Sequence, residues 1–402
     1  MIDFPYLSDV VRSTSSQIVM VVVDGLGGMP HPDYGKSELE FADIPILDTL
    51  GSTSSVGATI PVAPGITPGS GPGHMALFGY NPVKYLLGRG ILEGMGIGAD
   101  IAQGDVAARG NFCVLDTEGS IVDRRAGRLD TETCKALCSK LNEIQLDGVD
   151  FDVYPVMDYR FVLVLKGENL SPNISETDPQ VEGVIPLLSQ PFNSEAQVTA
   201  NFIKEFVLKA TELLGSADSS ANGILLRGFS SLPTLPDFGN QYALNPAAIA
   251  AYPMYRGLAG LIGMDILESG QTFESEIDVL EDNFHQGYDF FFLHYKPADS
   301  AGEDGDFLAK VSQLENFNRD IQRVIDLNPD VLVICGDHST PSLTASHSWH
   351  PVPFMINSQY SEGTSEVFTE KACRTGSIGT IQAEQLMFQV LAHAGKLKKF
   401  GP

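Results

Sequence analysis

The six residues Ile18–Val23, "IVMVVV", form an unbroken apolar run, mostly β-branched, between the polar pair Ser16 and Gln17 and the sharp break at Asp24 and Gly25. A run of that length and composition predicts a strand buried on both faces, as in a parallel sheet, with Asp24 at its carboxyl end where open α/β sheets present their ligands. The design recurs twice. "DVLVICGDHSTPS" runs from an apolar stretch into Asp337 and His338, and "YDFFFLHYKPADSAGEDGD" predicts a strand over 288–293 that leads into Asp299, Glu303 and Asp304. Helical stretches such as 306–326 separate these strands, so one end of a sheet gathers acids and histidines.

Between about 105 and 252 the pattern changes. Short strands ("GNFCVLD", "RFVLVLKG", "NGILLRG") alternate with helices predicted at 131–143 and 195–214, and the loops carry most of the arginines. The pattern predicts an α/β protein whose sheet core, with helices on both faces, is built from residues 1–104 and 253–402, with a smaller α/β domain inserted at 105–252. A chain of 402 residues agrees with two domains, since single cores stop growing near ~250–300 residues. Repeats, low-complexity tracts and long linkers are absent from the sequence.

Charge narrows the function. A formal net charge of −26 argues against nucleic acid or an anionic membrane as partner, because such a surface repels phosphate polymers. A small anionic substrate would then need a local basic pocket. The longest apolar run is far below the ~20 residues that span a bilayer, and Met1 is followed by no basic leader, so the expectation is a cytoplasmic protein. The five cysteines are read as reduced structural thiols. Cys134 and Cys138 share one helix face, but no second pair closes a zinc site.

Asp24, Asp299, Glu303, Asp337, His338 and His347 supply oxygen and nitrogen donors for two divalent cations of the Mn²⁺, Mg²⁺ or Zn²⁺ kind. Ser70 stands in "TPGSGPGHMALFGY", where glycines permit close backbone approach and Pro72 suits the first turn of a helix. Its hydroxyl is thus placed at a helix N-terminus, where amide donors favour an anion. Free serine is too weak an acid to attack at neutral pH, so a bound dication would have to activate it; without one, Ser70 is only a helix cap.

Arg124, Arg125 and Arg128 fall within five positions of a chain with only 25 basic residues, and Arg109, Arg160 and Arg227 lie on strand-like segments of the same inserted region. Scattered arginines usually coat a surface; clustered in so acidic a chain they point to an anion site, because guanidinium forks grip phosphate and carboxylate bidentately. Arg89 and Arg256 are further candidates. His74, His350 and Trp349 lie in motif stretches beside the site, while His31, His285, His294 and His393 read as structural.

The stretches "VVVDGLGG", "PGSGPGHMALFGYNP", "GRGILEGMGIG", "GDVAARGNF", "DRRAGR", "ETDP", "NGILLRG", "HYKPADSAGEDGD" and "GDHSTPS…HSWHPVPF" together resemble the cofactor-independent phosphoglycerate mutases of the archaeal type, within the alkaline phosphatase superfamily. The likeness runs from about residue 15 to the closing "KKFG". It implies that Asp24, Ser70, Asp337 and His338 hold one Mn²⁺, and that Asp299, the residue four later and His347 hold a second, with Mg²⁺, Zn²⁺ or Co²⁺ as alternatives. It implies no 2,3-bisphosphoglycerate. That fourth residue is Glu303 where the family usually has histidine, with Asp304 as the alternative ligand, and Arg256 stands where the family usually has lysine.

The implied reaction interconverts 3- and 2-phosphoglycerate through a phosphoserine on Ser70, under an inserted domain that excludes water and grips the substrate with Arg109, Arg124, Arg125, Arg128, Arg160 and Arg227, with Arg256 of the core as a further substrate contact. A metal-dependent phosphomonoesterase of the same superfamily is the alternative, and a catalytically silent phosphate-sensing or metal-storage protein a more remote one. An oligomer is compatible with either enzyme.

Overall fold

The structure is a computed structural model that describes residues 1–215, 221–363 and 365–401. It divides into two compact units, Met1–Leu86 with Leu235–Pro402, and Leu87–Thr234.

The first unit is built on an eight-stranded sheet. Across it the strands are Gly379–Gln382, Ser55–Ile60, Val352–Ser358, Val331–Cys335, Ile18–Val23, Phe290–Tyr295, Pro246–Ile249 and Asp265–Ile266. All six residues of Ile18–Val23 are fully buried, which is why the run has no polar alternation. Val19, Val21 and Val23 pack with Phe291 and Leu293 against Leu314, Phe317, Ile321 and Val324 of the helix Phe307–Asp326; Ile18, Met20 and Val22 face the other side.

Register brings the site together. Ile18–Val23 is parallel to both neighbours, with Val23 opposite Tyr295 and Val22 opposite Cys335, so Asp24, Lys296 and Asp337 follow their strands at one level. Val352–Ser358 runs antiparallel to Val331–Cys335, and Ser55–Ile60 antiparallel to it in turn. The segment carrying His347 therefore arrives at the same edge from which the segment leading to Ser70 departs.

The second unit is a five-stranded sheet centred on Val106–Leu115, flanked antiparallel by Arg160–Lys166 and Gly223–Ser230, with Asp150–Met157 outside and Ile121–Asp123 paired to its end. Phe112, Phe161, Leu163, Leu165, Ile224 and Leu226 cover one face beneath the helices Thr131–Leu141 and Gln197–Gly215. Ala107, Val162 and Val164 pack with Ile91 of the helix Arg89–Gly96 on the other.

Three expectations shift. The inserted unit begins at Leu87 rather than 105, because the helix Arg89–Gly96 packs on its sheet. It ends at Thr234 rather than 252, because Pro246–Ile249 is a strand of the first sheet, parallel to Phe290–Tyr295. The strand predicted at 288–293 lies at Phe290–Tyr295, so His294 and Tyr295 belong to the sheet and Lys296 follows it directly. No helix among the described residues is long and apolar enough to cross a membrane.

Candidate active site and metal centre

Asp24 follows its strand directly, and Gly25 then turns with a positive φ of 68°. An L side chain there would be strained and would also meet Asp299, its Cβ lying 2.9 Å from that residue's Cα. The Gly25 N–H donates to Asp337 Oδ1 at 3.2 Å, linking two strand ends. Ser70 opens the helix Ser70–Leu77 with Gly69 as its cap, and Gly73, one turn on, lies so close to Asp337 that a Cβ would stand 2.5 Å from its carbonyl oxygen. This contact lets the helix start reach the sheet edge.

Two groups of donors result. Asp24, Asp337 and His338 each place one ligand atom within 4.8 Å of the others, and Asp299, His338 and His347 do the same. Ser70 Oγ lies 3.2 Å from His338 Nε2, which also faces Asp24 Oδ1 at 3.3 Å and Asp337 Oδ2 at 3.1 Å. His347 Nε2 lies 3.6 Å from Asp299 Oδ1 and 3.4 Å from Glu303 Oε1, and its Nδ1 meets the Pro68 carbonyl at 3.0 Å. Asp299 and Glu303 stand four apart on the helix Pro297–Glu303, hence on one face.

Whether cations suit these residues can be judged from their hydrogen bonds. Asp24, Asp299 and Asp337 are fully buried, yet among the described residues Asp24 Oδ1 receives no hydrogen bond, and the N–H beside Asp337 Oδ2, that of His74 Nδ1 at 3.2 Å, gives its hydrogen to the Ser70 carbonyl at 2.9 Å. Leaving a buried carboxylate oxygen bare is costly unless a cation fills the place. Thr340 Oγ1 donates to Asp299 Oδ1 at 2.6 Å and therefore accepts from His338 Nδ1 at 3.0 Å. The neutral imidazole then turns an unprotonated Nε2 toward two carboxylate oxygens, an arrangement that is repulsive without a positive charge between them. The donor set fits hard or borderline divalent ions.

Burial would raise the Asp24 carboxyl, but Lys296 and the neighbouring His294 and His338 hold it well below the usual carboxylate range. Burial and the nearby Asp24 raise Asp299. His347 is pushed up to about 9, because Glu303 and Asp299 outweigh its burial. The site is short of positive charge.

Lys296, Tyr255 and Thr340 join the site although no sequence motif singles them out, and so does His294, which the sequence pattern alone reads as structural. Lys296 Nζ donates to Asp24 Oδ2 at 3.0 Å and to Asp299 Oδ2 at 2.6 Å. The Tyr255 hydroxyl also donates to Asp24 Oδ2, and His294 Nε2 lies 3.2 Å from that oxygen. The available signal was Lys296 itself, a lone base between an apolar strand and an acidic loop. Asp304 instead lines a cavity of about 1000 Å³ together with Tyr252, Phe273, His294 and Lys296.

In the second unit, strand pairing sets Arg109 opposite Arg227 and Asn111 opposite Arg160, so three arginines share one sheet face. Burial lowers Arg109 to about 10, and Arg89, Arg227 and Arg160 add to this against the pull of Glu93. The Nε atoms of Arg109, Arg160 and Arg227 are buried without hydrogen-bond partners among the described residues. Arg124 is bound bidentately by buried Asp178, at 3.1 and 2.7 Å. Arg125 and Arg128 are exposed on a turn whose amides Asp123 caps. Arg256, in the first unit, meets Glu268 at 3.2 Å.

A family model described as 2,3-bisphosphoglycerate-independent phosphoglycerate mutase matches residues 52–219. A protein of Aquifex aeolicus named "Probable 2,3-bisphosphoglycerate-independent phosphoglycerate mutase" is 46% identical over 406 residues, covering 98% of this chain and 99% of its own. One of the same name from Thermus thermophilus is 44% identical over 404 residues and covers 99% of both chains. Among solved structures, a Pyrococcus horikoshii protein aligns with a TM-score of 0.82 at 25% identity, covering 97% of this chain and 100% of its own. The cofactor-independent phosphoglycerate mutase of Thermoplasma acidophilum aligns at 0.74 and 26% identity, covering 94% and 100%. This chain belongs to the family of 2,3-bisphosphoglycerate-independent phosphoglycerate mutases.

Proposed function

We propose that the protein interconverts 3-phosphoglycerate and 2-phosphoglycerate, with Ser70 as the group that carries the phosphoryl between the two hydroxyls. The observation that carries this reading is the position of Ser70 Oγ, at a helix start and 3.2 Å from His338 Nε2, beside two buried carboxylate oxygens that lack hydrogen bonds. Asp24, Ser70, Asp337 and His338 would hold one divalent ion and Asp299, Glu303 and His347 the other, Mn²⁺ being the best match to a mixed carboxylate and imidazole set. Such ions would supply the charge that makes a serine hydroxyl nucleophilic at neutral pH and offset that of the phosphoryl oxygens.

The chain's own residues do the rest. Ser70 Oγ gives up its proton and bonds to phosphorus as the bond to the substrate's 3-oxygen breaks, and that oxygen takes up the proton. The glycerate then presents its 2-hydroxyl, whose oxygen loses its proton and bonds to phosphorus as the phosphoserine P–O bond breaks, and Ser70 Oγ takes the proton up. The helix start orients amide dipoles toward the phosphoryl group. Thr340 holds His338 in the tautomer with a free Nε2, and Gly25 and Gly73 let three chain segments converge. Arg109, Arg160 and Arg227, gathered on one sheet face of the second unit, are suited to a carboxylate or phosphate, and a hydrolase would not need such a group to retain glycerate.

Purified enzyme given 3-phosphoglycerate should yield 2-phosphoglycerate in large excess over free phosphate. Release of phosphate alone would replace this reading with that of a phosphomonoesterase.

A further inference from the structure

We propose that Lys296 is a positioning residue that leaves Asp24 and Asp299 one cation-facing oxygen each and so sets which divalent ions the centre accepts. The inference rests on the metal reading above. It begins from the two oxygens of each carboxylate having different surroundings. Asp24 Oδ1 faces His338 Nε2 and has no hydrogen bond, whereas Oδ2 receives Lys296, Tyr255 and His294. Asp299 Oδ1 faces His347 at 3.6 Å and accepts one hydrogen bond, from Thr340 at 2.6 Å, whereas Oδ2 receives Lys296 at 2.6 Å. One ammonium thus bridges the outer oxygens of two carboxylates that belong to different donor groups.

Two consequences follow from ion chemistry. A carboxylate whose second oxygen is taken by an ammonium binds in monodentate fashion, which suits small ions with few ligands. Ca²⁺, with six to eight oxygens and frequent bidentate carboxylates, is disfavoured. The ammonium also cancels one negative charge of the centre, which offsets the one that Glu303 carries where the resemblance leads one to expect a neutral histidine. Lys296 therefore weakens all divalent binding and weakens Ca²⁺ most.

The test is calorimetric titration of the full-length, metal-free chain with Mn²⁺ and, separately, with Ca²⁺, for wild type, Lys296→Met, Lys296→Gln and Lys296→Arg. In the Met and Gln variants Mn²⁺ should bind about tenfold more tightly, and Ca²⁺ should gain by a larger factor, while Arg, which keeps the charge, stays near wild type. Should a neutral variant unfold without metal, the dependence of its melting temperature on each ion's concentration gives the same ratio. An unchanged ratio of Ca²⁺ to Mn²⁺ affinity, or weaker binding of both ions by folded variants, overturns the proposal. A wild-type chain that binds neither ion overturns the metal reading itself, and this inference with it.

Discussion

Ser70 Oγ and His338 Nε2 lie 3.2 Å apart although 268 positions separate them in the chain. Because Thr340 gives its hydrogen to Asp299 and accepts from His338 Nδ1, Nε2 is the unprotonated nitrogen that turns toward the serine. Ser70→Ala is expected to lower mutase turnover below about a thousandth of wild type. Bound Mn²⁺ and melting temperature should stay near wild type, since Asp24, Asp337 and His338 remain. Retention of a tenth of wild-type turnover would remove Ser70 as the phosphoryl carrier.

Glu303, with its side chain about half exposed, lies 3.4 Å from His347 Nε2, while Asp304 lines a cavity with His294 and Lys296. This geometry favours Glu303 over its neighbour as the ligand. Glu303→His is expected to move the activity ranking of added metals toward Zn²⁺ and Co²⁺, and Asp304→Ala to leave the ranking alone. The reverse pattern in activities measured with Mn²⁺, Mg²⁺, Zn²⁺ and Co²⁺ would transfer the role to Asp304.

The arginines bear on mutase against phosphatase. Arg227 shares its sheet face with Arg109 and Arg160, and Arg125 has an exposed, unpaired guanidinium among the described residues. Arg227→Met and Arg125→Ala should each lower kcat/KM roughly ten- to hundredfold, the loss of one charge-assisted contact. A glycerate held less firmly leaves the phosphoserine to water, so free phosphate should rise as a fraction of product. Simultaneous measurement of 2-phosphoglycerate and phosphate decides: wild-type partitioning and kcat/KM in both variants would assign these arginines to structure and surface.

Lys310 is fully buried and donates to the carbonyls of Gly25 at 2.8 Å, Gly27 at 3.0 Å and Thr340 at 2.8 Å. It ties the loop after Asp24 to the loop after His338, with the buried Glu38 and Glu370 acting as counter-charges. Lys310→Met leaves those carbonyls and carboxylates uncompensated, a cost of about 3–5 kcal/mol. Calorimetry should show the melting temperature lower by about 6–12 °C. A melting temperature within a degree of wild type would mean that the loops hold their places without the ammonium.

By itself the sequence determined the strands that end in ligands, because a strand buried on both faces must be apolar and must break where it leaves the sheet, as Ile18–Val23 and Val331–Cys335 do. It also determined the donor types and, through ordered motifs, the family. Only the tertiary structure decided which carboxylate oxygens stay free, since Lys296, Tyr255, His294 and Thr340 act through contacts across strands that no local pattern encodes. The boundaries of the inserted unit depended in the same way on partners distant in sequence. The helix Arg89–Gly96 and the strand Pro246–Ile249 look alike in either unit until the sheet each packs on or pairs with is known. Arg124 and Arg125 are adjacent and chemically identical, yet only the first meets a buried carboxylate, because Asp178 reaches that position through the fold.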